Sequence, residues 1–356
     1  MTTPLLVGTY TQPILHGTGE IVPGKGDGIY ALEMDQAGQF GDLRVVARTP
    51  NPSFLCATPQ HIYAVNELKE FDGAAQGSVS VFTHDGQQLC VRPTGGTDPC
   101  HVVLSHDGRL CVVANFMSGS FIAYQVNGSG ALAEEGQFFG FEGHSVDPQM
   151  QTGPHEHGAT FDPADRFVYV PDLGLDRIHI YTYDRARMAL THRGDFELSP
   201  GTGPRYCEFH PVSGLLYGIN QMTNSVDVMR SDDDGGLTLL SSVSTLPGDY
   251  SGPSMTGTLR IAPDGRHLYA SNRVHDSIAV FAVAADGSLT QQQIVPCGGR
   301  TPRDFTIDPT GQFVIVANQD SDNLVSFAVA PDGSIEPRDS IRIPTPTCVV
   351  CRPCGS

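Results

Sequence analysis

Tryptophan is absent from the 356 residues, basic side chains number only 21 against 39 acidic ones, and no apolar run approaches the ~18 residues of a membrane span. The missing tryptophan excludes a WD repeat array, whose signature requires it. A net charge of −18 without any basic tract excludes a nucleic-acid surface, where affinity rests on neutralising phosphates. Any cationic site must therefore be local. Met1-Thr2-Thr3-Pro4 lacks the basic and apolar regions of a signal peptide, which predicts a soluble, cytoplasmic protein with no membrane partner. Residues that are 39% hydrophobic and only 17% charged can bury a substantial core, so the chain does not have the composition of a disordered polymer.

Nine cysteines is an odd number, and most stand singly in apolar stretches, as Cys56, Cys111 and Cys207 do, a usage that fits a reducing compartment. Cys348, Cys351 and Cys354 have metal-like spacing, but no second CxxC or nearby His pair completes a four-ligand zinc site. They read as small hydrophobes on a strand plus one loose thiol. No metal and no other cofactor is expected.

What is present is a repeat. A polar-Pro entry, an apolar strand, a turn, a second apolar strand closing on Asn or Asp, and an alternating strand recur along the chain. The second strands end at Asn66, Asn115, Asp172, Asn220, Asn272 and Asn318, separated by 46 to 57 residues. Runs such as SVSVF, RIHIYTY and SIAVFAV mix β-branched and aromatic residues, and His106-Asp107-Gly108, Pro263-Asp264-Gly265 and Pro331-Asp332-Gly333 supply turn chemistry. No segment has capped helical periodicity. Repeated four-stranded sheets of this size close as an all-β propeller. Six complete units enter near Pro52, Pro99, Pro154, Pro204, Thr256 and Pro302, and the ends hold the remainder. Residues 5–48 lack an entry strand and Pro346–Val350 resembles one, which predicts a seven-bladed ring closed by the carboxyl-terminal strand, with residues 1–356 forming a single domain.

In that geometry the start of each first strand and the end of each second strand share a face. The entry column reads Ser53, Cys100, His157, Arg205, Gly257, Arg303 and Thr347; the exit column reads Glu67, Phe116, Leu173, Gln221, Arg273 and Gln319. Arg205, Arg273 and Arg303 in these columns form a local cationic funnel on an acidic protein, suited to holding an anion through planar guanidinium contacts. His101, His155 and Arg177 lie close by in sequence and join Glu67, Arg303 and Gln319 as candidate substrate contacts.

The strings GTYT, DPCHV with ANF-x-SGS, GPHEH followed by FVYVPDLGLDRIHIY, GPRYCEFHP, YASNR-x-HDSIAVF and TPRDFTIDP-x-GQF resemble the seven-bladed lactonase family, which includes propeller-type 6-phosphogluconolactonases and fungal 3-carboxy-cis,cis-muconate cyclases. The resemblance covers essentially the whole chain. It implies metal-independent chemistry on small polyanionic lactones or their open-chain acids, with His157, Arg205 and Arg273 as site residues. Where the family typically has Glu after the strand-closing Asn, this chain has Asn220-Gln221. Glutamine keeps the shape but exchanges no proton, so Gln221 is expected to orient substrate or water while His157 moves the proton.

The leading expectation is hydrolysis of a phosphorylated or carboxylated lactone in carbohydrate metabolism by a monomer or homodimer. A lactonising muconate-type cyclase would use the same residue types, and a non-catalytic propeller binding a protein on its rim is the competing class. A metal-dependent lactonase would need His155 and His157 as ligands on one regular strand, but the Asp/Glu/Asn cluster to complete such a site is not evident in the sequence.

Overall fold

The repeats fold into seven four-stranded antiparallel sheets in a computed structural model that describes residues 2–15 and 21–353. In blade 1 the order runs Pro346–Cys351, Thr3–Thr9, Ile29–Met34, Arg44–Ala47. The carboxyl-terminal strand is thus innermost and closes the ring, pairing Leu6 with Val350 and Val7 with Val349. Blades 2 to 7 follow with inner strands Leu55–Ala57, Pro99–Leu104, Thr160–Phe161, Pro204–Phe209, Met255–Ile261 and Pro302–Ile307. The expected entries at Pro52 and Pro154 precede their ladders by several residues. Before Thr160 the chain is irregular and touches the second strand of blade 4 through a bridge between Glu156 and Asp172. Apart from one 3-10 turn, Gln319–Ser321, and a short hairpin of Ile14–Leu15 with Ile21–Val22, the named elements are blade strands. Cys348 is buried and Cys351 half-buried on the closing strand, while Cys354 lies outside the described residues.

The core lies between neighbouring blades, and the sequence repeats explain how they are joined. Tyr63, Tyr169, Tyr217 and Tyr269, three residues before the strand-closing Asn or Asp, each donate a hydroxyl to a glycine carbonyl in a turn of the next blade, at 2.7–3.0 Å. A buried phenol needs a partner, and this one spans the seam. The closing Asn side chains fasten the opposite end: Asn115, Asn272 and Asn318 donate to the carbonyls of Thr94, Thr245 and Cys297.

The entry column has a specific backbone origin. Pro99 pairs with Asn115 and His101 with Ala114, leaving Cys100 as the extra residue of a β-bulge. Arg205 and Arg303 hold the same place between their flanking pairs, as does Thr347 opposite Gly8 and Thr9. Bulges re-aim a side chain. Each is preceded by proline and, before that, by a residue of positive φ: Asp98 (52°), Gly203 (63°), Thr301 (57°) and Thr345 (42°). At the equivalent place in blade 6, Gly257 is required by packing, because a Cβ would lie 2.8 Å from the Pro302 carbonyl oxygen and 2.4 Å from Ser271 Oγ.

Candidate active site

The two columns converge on a cleft of about 860 Å³, counting the space open to solvent at its mouth. Of the expected residues, Glu67, His157, Gln221, Arg273, Arg303 and Gln319 line it, with Cys100 and Phe116 from the same columns. Arg303 lies 3.6 Å from Glu67 and 3.4 Å from Gln319 Oε1, with its guanidinium over the Tyr10 ring. Glu67 also accepts the Tyr10 hydroxyl at 2.9 Å. Burial opposes the charge on Arg303, but Tyr10 and Glu67 outweigh it and hold its pKa above the ordinary value.

Arg273 is held by neutral acceptors, donating Nη2 to Gln221 Oε1 at 2.6 Å and Nε to the Thr256 carbonyl at 3.1 Å. Burial and then the charges of Arg205 and Arg303 push its pKa well down. A guanidinium in that setting gains from any arriving anion. Arg205 does not line the cleft. It is 1% exposed, donates to the Gly257 carbonyl, lies over the Tyr206 ring at 4.4 Å, and leaves Nε without a protein acceptor. Its field still reaches the site, since it is among the charges that depress His157 and Arg273.

His157 departs from the expected near-neutral base. Its pKa is driven well below the usual histidine range by burial first, then by Arg205, Arg303 and Arg273. Its Nδ1 lies 3.6 Å from Cys100 Sγ, and burial keeps that thiol protonated. A neutral imidazole beside a neutral thiol can orient a water but is a weak base. The group that sequence reasoning missed is Asp98. It lines the cleft, its Oδ2 accepts from Lys69 Nζ at 2.7 Å, and its buried Oδ1 has no protein partner. Burial raises it to about 6, against the lowering by Lys69 and with help from Glu67. Its signal in the sequence was the x-Pro step before each bulge, which places Asp98 two residues ahead of Cys100.

Other expected contacts lie elsewhere. His101 is sandwiched near Phe54 and Tyr206 at ring distances of 4.5 and 5.2 Å and is pushed down to about 3, chiefly by burial. His155 stacks on Phe116 and donates Nδ1–H to its carbonyl at 2.8 Å, so it supports the wall from behind. Arg177 faces Glu197 and Asp195 on the outermost strand of blade 4, and these carboxylates occupy its charge away from the cleft. Pairing of His155 with His157 on one regular strand does not occur, because that segment precedes the ladder. Among the described residues, the His and carboxylate groups close enough to share a cation are Glu156, Asp172 and His179, and His179, His192 and Asp195, none of which lines the cleft.

Residues 4–351 match the family model described as lactonase, 7-bladed beta-propeller, and the chain belongs to that family. It is an enzyme of the lactonase class. It is 31% identical over 313 residues to a 6-phosphogluconolactonase of Bacillus subtilis, covering 85% of this chain and 84% of that one. Among solved structures it is similar to the Pseudomonas aeruginosa periplasmic gluconolactonase PpgL, with a TM-score of 0.89, 29% identity and both chains covered in full. A putative 6-phosphogluconolactonase from Bacteroides fragilis superposes with a TM-score of 0.86 at 28% identity, covering 98% of this chain and 97% of that one. No helix among the described residues is long and apolar enough to cross a membrane.

Proposed function

We propose that this enzyme hydrolyses a small lactone carrying a phosphate or carboxylate, in the manner of a 6-phosphogluconolactonase. The observation that carries the reading is the charge of the cleft: Arg273 and Arg303 line it and Arg205 lies behind it, on a protein of net charge −18. Arg303, steered by Glu67, Tyr10 and Gln319, suits the anionic substituent. Arg273, held by the neutral acceptors Gln221 Oε1 and the Thr256 carbonyl, suits the lactone carbonyl oxygen as it becomes anionic. Asp98, with a pKa about 6 and an unpartnered oxygen, suits removal of a proton from the attacking water. His157 orients that water, and burial, reinforced by the field of Arg205, keeps its imidazole neutral.

The water oxygen bonds to the carbonyl carbon as its proton passes to Asp98, the ring C–O bond then breaks, and the proton on Asp98 passes to the departing ring oxygen, which leaves as a hydroxyl. The donor set needs no metal in the cleft. Free thiols at the eight described cysteines support a reducing compartment, the cytoplasm. A panel of phosphorylated, carboxylated and neutral lactones together with muconate-type diacids, assayed with and without chelator, tests the reading. Chelator-insensitive turnover of an anionic lactone is expected; turnover of diacids alone would assign the cyclase reaction instead.

A further inference from the structure

Directly beside His157, the chain buries a cluster that the proposed reaction does not use. Glu156 is 0% exposed and neither of its carboxylate oxygens has a hydrogen-bond partner. Asp172, equally buried and bridged to it, accepts the backbone N–H groups of His155, Gly174 and Leu175 through Oδ1 at 2.8–3.0 Å. Its Oδ2 is turned instead toward His179 Nε2, at 3.4 Å, and Glu156 Oε1 lies 3.9 Å from the same nitrogen. The other nitrogen, Nδ1, lies 2.8 Å from Asp195 Oδ1, which also takes His192 Nε2 at 2.9 Å. Phe141 stacks on the imidazole at 4.0 Å and covers it.

With Nδ1–H committed to Asp195, the Nε2 lone pair points at two buried carboxylates. That is repulsive unless something positive lies between them. A proton on Nε2 makes only a long hydrogen bond to Asp172 Oδ2, at 3.4 Å against the about 2.7–2.9 Å of a charge-assisted N–H···O bond, and leaves Glu156 Oε1 out of reach at 3.9 Å. Ligands held tetrahedrally around zinc at ~2.0–2.1 Å lie about 3.3 Å apart, against 3.4 Å from His179 Nε2 to Asp172 Oδ2 and 3.9 Å to Glu156 Oε1, so Glu156 would draw in by a few tenths of an ångström. A carboxylate on the far nitrogen of a liganding histidine is the usual outer partner that fixes its tautomer.

We propose that Glu156, Asp172 and His179 bind one divalent first-row cation of the Zn²⁺ type, oriented by Asp195. The inner strand of blade 4 has only two ladder residues, so a cation clamping Glu156 to the second and third strands would take the place of missing pairing.

The test uses the full chain, chelator-treated and dialysed, with Zn²⁺ alone as the probe, reading metal content and melting temperature rather than turnover. One equivalent retained per chain and a rise in Tm of several degrees are expected. Glu156→Gln should weaken Zn²⁺ binding at least about 100-fold and Asp195→Asn about 10–100-fold. His192→Ala should leave it intact, which separates this site from the exposed His179–His192–Asp195 group. No Zn²⁺ retained by the wild type, with Tm unchanged, would overturn the proposal in favour of a shared proton. Loss of zinc in His192→Ala but not in Glu156→Gln would overturn it in favour of the outer group.

Discussion

The two halves of the cleft share a backbone and differ in chemistry. Blades 5 to 7 contribute Gln221, Arg273, Arg303 and Gln319, with Arg205 behind them; blades 2 to 4 contribute Glu67, Asp98, Cys100, Phe116 and His157. Cys100 and Arg303 occupy equivalent bulges, each after a left-handed residue and a proline, yet one is a neutral thiol beside an imidazole and the other a fixed cation. The ring therefore repeats an address and varies the side chain delivered to it. In the proposed reaction, anion binding falls to one half and proton handling to the other.

That division makes the sharpest claim about kinetics. Asp98→Asn should lower kcat by about 10²–10⁴ with little change in KM, the range for loss of a general base. The wild-type rate should rise with pH through about 6 as Asp98 loses its proton, and the variant should not show that rise. Arg303→Lys keeps the charge but loses the planar fork, so kcat/KM should fall about tenfold or more, mainly through KM. Steady-state kinetics across pH would check both. If the two variants showed the same split between kcat and KM, the division of labour would be wrong.

A smaller effect is expected at the seam of the halves. Gln221→Glu places a carboxylate on Arg273, where the present contact is 2.6 Å, and should lower kcat several-fold for anionic and neutral lactones alike, because both present the carbonyl oxygen assigned to Arg273. A separate effect, on stability rather than turnover, is expected at His101. His101 is pushed down to about 3, so between about 3 and 6.5 the unfolded chain binds a proton that the folded chain refuses. Relative to His101→Gln, wild-type stability should be complete above about pH 6.5 and fall on acidification by up to about 1.4 kcal/mol per pH unit. Denaturant titrations at several pH values would measure this; parallel pH dependence in both proteins would contradict it.

Much of this was legible in the sequence, for physical reasons. The strand-closing Asn residues and the tyrosines before them recur because each blade must be fastened to the next, so blade number and ring closure could be read from spacing. The columns could be read because strand direction fixes which ends share a face. Asp98 escaped notice because its role depends on a positive φ at a bulge, which turns a residue two places before the column into the cleft. Arg177 was misplaced because proximity in sequence to Asp172 says nothing of the outer carboxylates that hold it. The state of His157 was hidden because its depression sums burial with three cations from three other blades.

The most direct measurement is the ratio of kcat/KM for a phosphorylated or carboxylated lactone to that for its neutral counterpart of the same ring. With two guanidinium groups lining the cleft and a third behind it, the ratio should exceed about 100, equivalent to ~2.7 kcal/mol of added transition-state stabilisation, and should shrink in Arg303→Lys. A ratio near one, unchanged in that variant, would contradict the assignment of the cleft to an anionic lactone.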